Sequence, residues 1–584
     1  MPSRILKLSI SNFRGIEDLN WHPTDGINLI LGGGDTGKTT VLEAINLLFL
    51  PASSPAVSET DYWMRKLATG FWIECIMQLG SEVDISNQSQ MIFPWNWNGE
   101  EAVLPIEENV DKYNIEVYKF RFSANSQQEA IWEIVQPDAS TIRFSVGLRR
   151  QIGMLTLPSD DRNDKDLRLV YGSALDRLIG DNTLRSRIGT KVAELKLQEE
   201  LSTDGKIALT TLDKKFKESA LPTGISVGLT SAQGISIGSL VGLLAKRSPN
   251  TLLPVSAWGA GTRRLASLEI GAALTISPSL VTIDEIERGL EPYRLRQFLT
   301  ELSKQQSQIF ITTHSPIAIS CVLNAQMWYM DSDGNLGELQ PDLVRKQQKN
   351  DPETFLARVA VIAEGITEIG FLSFFLERAL GSLPLDHGIR VCNGRGNDQT
   401  CLLLKALDKS GLKFAGLADN EGSRLGTWSN LKQSMGDHLL QWTEGCTEDA
   451  VISAIPDEHI PQLIGTSDDE NYGYRLKQLM DRCGARERTL QSIEIKLAET
   501  DKTLKQLVIE ASSGNTDGAA DKIEKSTWKS HSSSWFKSEQ GGRELAEKAL
   551  ELGGWRILEP KLVPLITAIL ASADLAITEK FPNV

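Results

Sequence analysis

Long apolar runs are missing from this 584-residue chain. No uninterrupted stretch approaches the ~20 residues needed to cross a bilayer, which sets aside a channel or a transporter. The N-terminus is expected to be a strand and not a leader. Leu6, Leu8 and Ile10 alternate with Lys7, Ser9 and Ser11, a strand pattern that points to a cytoplasmic protein. The six cysteines, Cys75, Cys321, Cys392, Cys401, Cys446 and Cys483, have no paired spacing. They are expected to be buried reduced thiols, not disulfides or zinc ligands. Positive charge is scarce: 61 Lys and Arg stand against 76 Asp and Glu, a net charge of −15. Coating nucleic acid nonspecifically needs cations at the phosphate contacts. Any grip on nucleic acid must therefore be local, through a few basic groups or metal ions. Tyrosine is nearly absent after residue 351, where only Tyr472 and Tyr474 occur. What remains is ordinary for a globular chain, 41% hydrophobic and 23% charged, and the length calls for roughly two to four domains.

Against this background one stretch stands out, "ILGGGDTGKTTVLEAINLLF" at residues 30–49. Gly32, Gly37, Lys38 and Thr39 have the spacing of a phosphate-binding loop. Residues 27–31 are a continuous apolar run, expected as a buried strand. Val41, Leu42, Ala44, Ile45, Leu47 and Leu48 form a helical stripe after it. Backbone N–H groups and the helix dipole would cradle phosphates there. Lys38 would reach the β/γ-phosphates and Thr39 would bind magnesium, with Asp35 and Thr40 completing the loop.

Two later segments supply the other half of a nucleotide site. "SLVTIDEIERGLEP" (279–292) is an apolar run ending in Asp284 and Glu285. Asp284 would hold magnesium and Glu285 would orient or deprotonate water. "QIFITTHSP" (308–316) ends in His314, placed to sense the γ-phosphate. With "SNFRGI" (11–16), these segments resemble the ABC-type ATPases of the RecF/SMC kind. The resemblance implies two site halves split by a long insert. It also implies a signature segment, for which "SAWGAGTRR" (256–264) is the candidate, with Gly259, Gly261 and Thr262 as nucleotide contacts. That segment departs from the usual Leu-Ser-Gly-Gly-Gln form. The insert, 165–225, is rich in Leu, Lys and Glu. Leu167, Leu169, Leu175 and Leu178, then Val192, Leu195 and Leu197, suggest amphipathic helices. They form either a lobe packed on its own domain or a dimerisation arm.

Residues 331–356 are polar, with Gly and Pro, and are expected as a linker or domain edge. After them strands at 359–363, 389–393 and 414–422 alternate with helices, which predicts a parallel sheet. Glu364, Asp419 and Glu421 fall at strand ends, and Glu448 and Asp449 open a later helix. Hard oxygen donors of this kind suit Mg²⁺ or Mn²⁺, and two such ions serve phosphodiester hydrolysis.

The order Glu, Asp-x-Glu, Glu-Asp resembles the Toprim domain. A Toprim domain behind an ABC-type ATPase resembles the OLD (overcoming lysogenization defect) family of nucleases. The implied fold is α/β: an ABC-type ATPase at 1–164 and 226–350, the helical insert at 165–225, and at 351–584 a Rossmann-like Toprim domain with helical additions. The resemblance implies ATP and Mg²⁺ (or Mn²⁺) as cofactors. It implies a DNA substrate, a homodimer or tetramer, and antiphage defence. Partners in the family are a companion helicase, as in Gabija systems, or a retron reverse transcriptase with its RNA–DNA hybrid. Carried over, Glu364, Asp419 and Glu421 are catalytic and metal-binding, with Glu368 and Glu448 (or Asp449) as further ligands. Lys537 is the basic residue that stabilises the transition state, with Arg543 as runner-up. Glu421 stands where the family has a second Asp. That departure keeps a second expectation open, an ATP-driven DNA clamp or scaffold whose Toprim half no longer cuts. A topoisomerase reading would need a tyrosine nucleophile on a further domain, which Tyr472 and Tyr474 do not suggest.

Overall fold

The computed structural model describes all residues except 1, 53–56, 87–89, 106–114, 160–164, 171–172, 182–183, 185–197, 230–240, 274–277, 444 and 583–584. The chain separates into two compact units, Met1–Pro341 and Asp342–Val584. Among the described residues no helix is long and apolar enough to cross a membrane.

The first unit is built on two large sheets. In one, strands Met154–Leu157, Leu280–Ile283, Gln308–Thr312, Ile27–Gly32 and Gln326–Met330 run parallel in that spatial order, with Leu336–Leu339 antiparallel at the edge. Three of these strands are buried along their whole length, which is why they appear in the sequence as unbroken apolar runs. The other sheet is antiparallel and begins with Arg4–Phe13 paired to Ile16–Trp21 and Phe71–Gln78. A bulge between Ile5 and Lys7 shifts the register. Ile5, Leu8 and Ile10 are therefore buried while Leu6 is only half-buried, unlike the simple alternation.

In the insert, helix Thr203–Glu218 is capped by Ser202 and buries Leu209, Leu212 and Phe216. Ser219, just after it, bonds Glu269 on helix Ala260–Ala272 at 2.7 Å. Leu167, Leu169 and Leu175 are also buried, so this part packs on its own unit. Val192, Leu195 and Leu197 lie outside the described residues.

Residues 331–356 hold the boundary between the two units, as a domain edge would, but they are structured and not a plain linker. They contain strand Leu336–Leu339, helix Pro341–Asn350 and a 3₁₀ turn, Pro352–Leu356. Helix Pro341–Asn350 buries only Val344, Gln347 and Gln348, so it lacks the apolar stripe by which sequence reveals a helix.

The second unit carries a four-stranded, wholly parallel sheet in the order Ile389–Asn393, Val359–Ala363, Phe414–Ala418, Leu439–Gln441. The chain's first strand of this sheet is flanked on both sides. Its carboxyl end is thus a switch point, where such sheets place ligands. Helices Ile366–Leu380 and Glu539–Glu551 cross in close contact. A Cβ on Gly370 would lie 1.8 Å from Glu539 O, and one on Gly542 2.0 Å from Thr367 O. Only glycine permits that approach.

Candidate functional site

The first candidate site forms at the carboxyl ends of the first unit's parallel strands. Gly32 (φ 147°), Asp35 (φ 57°) and Gly37 (φ 103°) turn the chain from strand Ile27–Gly32 into helix Lys38–Leu48. A Cβ on Gly32 would lie 2.5 Å from Met330 O, so glycine is required there twice over, by conformation and by space. Lys38 is buried and donates to Gly32 O at 3.2 Å and to Gly33 O. Burial lowers its pKa, opposed by Asp284, Asp35 and Glu285. Thr39 lies in the helix's first turn, exposed, and donates to both carboxylate oxygens of Asp284 at 3.1 and 3.3 Å. Thr40 follows it, half-buried. The phosphate loop and the Asp-Glu strand are thus in direct contact.

Thr312 Oγ1 donates to Asp284 Oδ1 at 2.6 Å and accepts from Glu285 N at 2.8 Å. Glu285 is half-exposed and held at φ 46°, a left-handed conformation rare for a non-glycine residue and often found at functional sites. Arg264, on helix Ala260–Ala272, donates to Glu285 O at 2.7 Å and to Asp284 O. His314 has an exposed side chain, and its N–H donates to Glu287 Oε1 at 2.7 Å. Gly259 caps the helix that contains Gly261 and Thr262. A Cβ on Gly261 would lie 2.1 Å from Gly289 O. This glycine's contact is therefore the loop that follows Glu285. Sequence reasoning missed Thr312, Glu287 and Arg264, because each acts through hydrogen bonds to another strand's end.

The second candidate site lies at the carboxyl ends of the second unit's sheet. Glu364 follows Val359–Ala363 and is 5% exposed. Its Oε2 accepts from Asn397 Nδ2 and from Asp419 N, both at 2.9 Å. Asp419 follows Phe414–Ala418, and its Oδ1 accepts from Thr447 N at 2.9 Å and Thr447 Oγ1 at 3.1 Å. Glu368, in the first turn of helix Ile366–Leu380, and Glu448, in helix Thr447–Ala454, are buried beside them. Lys537 Nζ lies 2.8 Å from Glu448 Oε1. Glu448 Oε2 is buried with no hydrogen-bond partner among the described residues.

The electrostatics follow from crowding. Burial, then Glu368, Glu364 and Glu448, push the Asp419 carboxyl up to about 8. Burial and Glu448 raise Glu368, and burial raises Glu364. Burial works against the Lys537 ammonium, but Glu448 and its neighbours outweigh it and hold the pKa above the ordinary value.

Three residues named from sequence fall elsewhere or at the rim. Asp449 caps its own helix by accepting from Cys446 N at 3.1 Å. Arg543 binds Glu377 at 2.8 Å. Glu421 is exposed on the loop after Asp419, and its charge reaches Glu364 without a hydrogen bond.

In this conformation no three acidic, imidazole or thiol groups among the described residues converge into a ready-made ion site. The donor set nonetheless fits a divalent cation in its chemistry. Several buried carboxylates face a single ammonium, and one buried oxygen is unpartnered. Such excess charge must be met by protons or by a hard cation.

Comparison with known proteins agrees with this division. Residues 92–320 match the AAA_21 family model, "AAA domain, putative AbiEii toxin, Type IV TA system", and residues 355–420 match the OLD-like_TOPRIM model, "Overcoming lysogenization defect protein-like, TOPRIM domain". The chain fits the OLD family of ATPase–Toprim proteins. The OLD-like match contains Glu364, Glu368 and Asp419. The DNA replication and repair protein RecF of Chloroherpeton thalassium is 42% identical over 79 residues, 14% of this chain and 21% of that protein. RecF of Shewanella woodyi is 50% identical over 44 residues, 8% of this chain and 12% of that protein. The chain thus spans 21% or less of the length of these curated relatives. Among solved structures, the Smc head domain of Pyrococcus furiosus bound to the C-terminal domain of ScpA is 13% identical. It covers 59% of this chain and 98% of that chain, with a TM-score of 0.36. The recombination mediator RecF–ATPrS is 14% identical over 58% of this chain and 99% of that chain, with a TM-score of 0.35.

Proposed function

We propose that this OLD-type protein is an ATP-binding and ATP-hydrolysing, divalent-metal-dependent DNA endonuclease, with the ATPase unit regulating the Toprim unit. The observation that carries the reading is the buried cluster of Glu364, Glu368, Asp419 and Glu448 around Lys537 at the sheet's switch point. In the first unit, Lys38, Thr39 and the loop from Gly32 to Gly37 bind the ATP phosphates. Asp284, aligned by Thr312, shares the magnesium with Thr39, and Glu285 orients the attacking water. In the second unit Glu364, Glu368, Asp419 and Glu448 hold Mg²⁺ or Mn²⁺. A cation held there would supply water activation and charge stabilisation for the leaving oxygen of a phosphodiester. Lys537, held by Glu448, adds positive charge where the transition state gains negative charge. The family resemblance adds a homodimer or tetramer, a place in antiphage defence, and a companion helicase or a retron reverse transcriptase with its RNA–DNA hybrid.

One observation favours the alternative, an ATP-driven DNA clamp with an inactive Toprim unit. Glu421 replaces the second Asp and lies exposed, outside the buried cluster. Supercoiled-plasmid cleavage separates the two. The wild type, Glu364→Ala and Lys38→Ala would be incubated with Mg²⁺ or Mn²⁺, with and without ATP. A nuclease cuts, and Glu364→Ala cuts about 100-fold less or not at all. A clamp cuts in none, binds DNA equally as wild type and Glu364→Ala, and loses its ATP-dependent binding in Lys38→Ala.

A further inference from the structure

We infer that Asn397 is the positioning residue that aims Glu364 and Asp419 at a shared divalent cation. The inference rests on the Toprim reading above and extends it to a neutral residue. Asn397 opens helix Asn397–Leu407 directly after the turn at 393–396 and is 4% exposed. Arg395 (φ 65°) and Gly396 (φ 94°) bend that turn inward, and a Cβ on Gly394 would lie 2.0 Å from Thr400 Oγ1. The turn thus brings the end of the sheet's second strand against the ends of its first and third.

The amide is used at both ends. Nδ2 donates to Glu364 Oε2 and to Asp419 O, each at 2.9 Å. Oδ1 accepts from Trp428 Nε1 at 3.0 Å and from Ser423 Oγ at 3.2 Å. The indole N–H can only donate, so it fixes the amide's orientation: oxygen toward Trp428, NH₂ toward the acids. Trp428 is itself 2% exposed. An asparagine that merely satisfied a helix start would bond backbone groups. Here one of its two donors goes to the side chain of a candidate ligand, and the other to the backbone of the next. With Oε2 of Glu364 held by Asn397 and Asp419 N, the carboxylate has one orientation and its other oxygen is left for a ligand. Hydrogen bonds of this kind raise metal affinity by fixing ligand geometry before the ion arrives.

The test uses the full-length protein without nucleotide and reads Mn²⁺ binding by electron paramagnetic resonance. Wild type, Glu364→Ala, Asn397→Ala and Trp428→Phe are compared. Glu364→Ala defines the Toprim share of the bound Mn²⁺. Asn397→Ala is expected to weaken that share about 10-fold or more. Trp428→Phe keeps the packing but frees the amide to turn, and is expected to weaken it at least about 3-fold. In plasmid cutting, the Mn²⁺ needed for half-maximal rate rises in parallel while the KM for DNA is unchanged. If Asn397→Ala binds Mn²⁺ as the wild type does and Glu364→Ala does not, the inference is overturned and the Toprim reading stands. If the wild type has no Glu364-dependent Mn²⁺, both fail. Should Asn397→Ala melt at a much lower temperature, Trp428→Phe decides, and unchanged Mn²⁺ affinity in that variant overturns the inference.

Discussion

At the scale of single residues, both candidate sites give a charged group a fixed partner. Thr312 holds Asp284 Oδ1 and the N–H of Glu285 with one hydroxyl. Glu285→Gln is expected to retain ATP binding and to slow phosphate release about 100-fold or more. Nucleotide titration and a phosphate-release assay check the two halves of that statement. In the Toprim unit the Asp419 carboxyl, ordinarily near 3.8, is pushed up to about 8. Its folded value lies above its unfolded one. Its contribution to stability is therefore full below the unfolded pKa and is lost as pH rises through about 8. Without metal, the melting temperature of the Toprim unit should fall between about pH 5 and about pH 9. A cation must displace this proton, so Mn²⁺ affinity should tighten by up to about 10-fold per pH unit and level off above about 8. Calorimetry in buffers of different ionisation enthalpy would show the released proton. Mn²⁺ affinity that is flat across this range would refute the coupling.

At the scale of elements, the geometry of the Toprim site depends on how one pair of helices crosses. Gly370 lets helix Glu539–Glu551 approach helix Ile366–Leu380, and Gly542 does the same in return. Thr367 Oγ1 donates to Phe536 O at 3.0 Å, one residue before Lys537. Arg475 donates to Ser534 O at 3.1 Å from the other side. The segment carrying Lys537 is thus held to the helix carrying Glu368. Gly542→Ala would place a methyl 2.0 Å from Thr367 O. It is expected to cost about 1–3 kcal/mol or more by overpacking and to move Lys537 off Glu448. Denaturation followed by near-ultraviolet circular dichroism would read the first effect and plasmid cutting the second. The stretch "ERTLQSIEIKLAETDKTLKQLVIEA" (487–511) shows how elements escape a pattern search. It reads as one charged helix, yet it folds as Leu490–Leu497 and Leu504–Ser513. Thr489 and Thr503 cap the two starts, and Thr503 with Gln506 forms a capping box. The caps were legible in the sequence, but the apolar periodicity ran across the break and hid it.

At the scale of the whole molecule, the two units each have their own sheet. The second has a core of its own, running from Val359 through Phe371 and Trp442 to Ile569. A fragment of residues 342–584 is therefore expected to fold alone and melt cooperatively. A broad, featureless melt of the soluble fragment would count against that. Glu364-dependent Mn²⁺ binding by the fragment would further show that the Toprim ligands need nothing from the ATPase unit.

The sequence by itself determined the parts whose chemistry is local. The phosphate loop could be read because glycine spacing, a buried strand and a helix start all lie within residues 27–48. Two Toprim carboxylates, Glu364 and Asp419, could be read because parallel strands buried on both faces appear as apolar runs, and each of the two directly follows one. Tertiary structure decided which neighbours those residues have. It set Asp449 to cap a helix and Glu448 to meet Lys537. It gave Arg543 to Glu377 and left Glu421 exposed. It also brought Asn397 between Glu364 and Asp419. Periodicity records which face of an element is buried. Only the packing of distant strands and helices fixes which side chains share a pocket, and there the burial and mutual repulsion that tune the carboxylates arise.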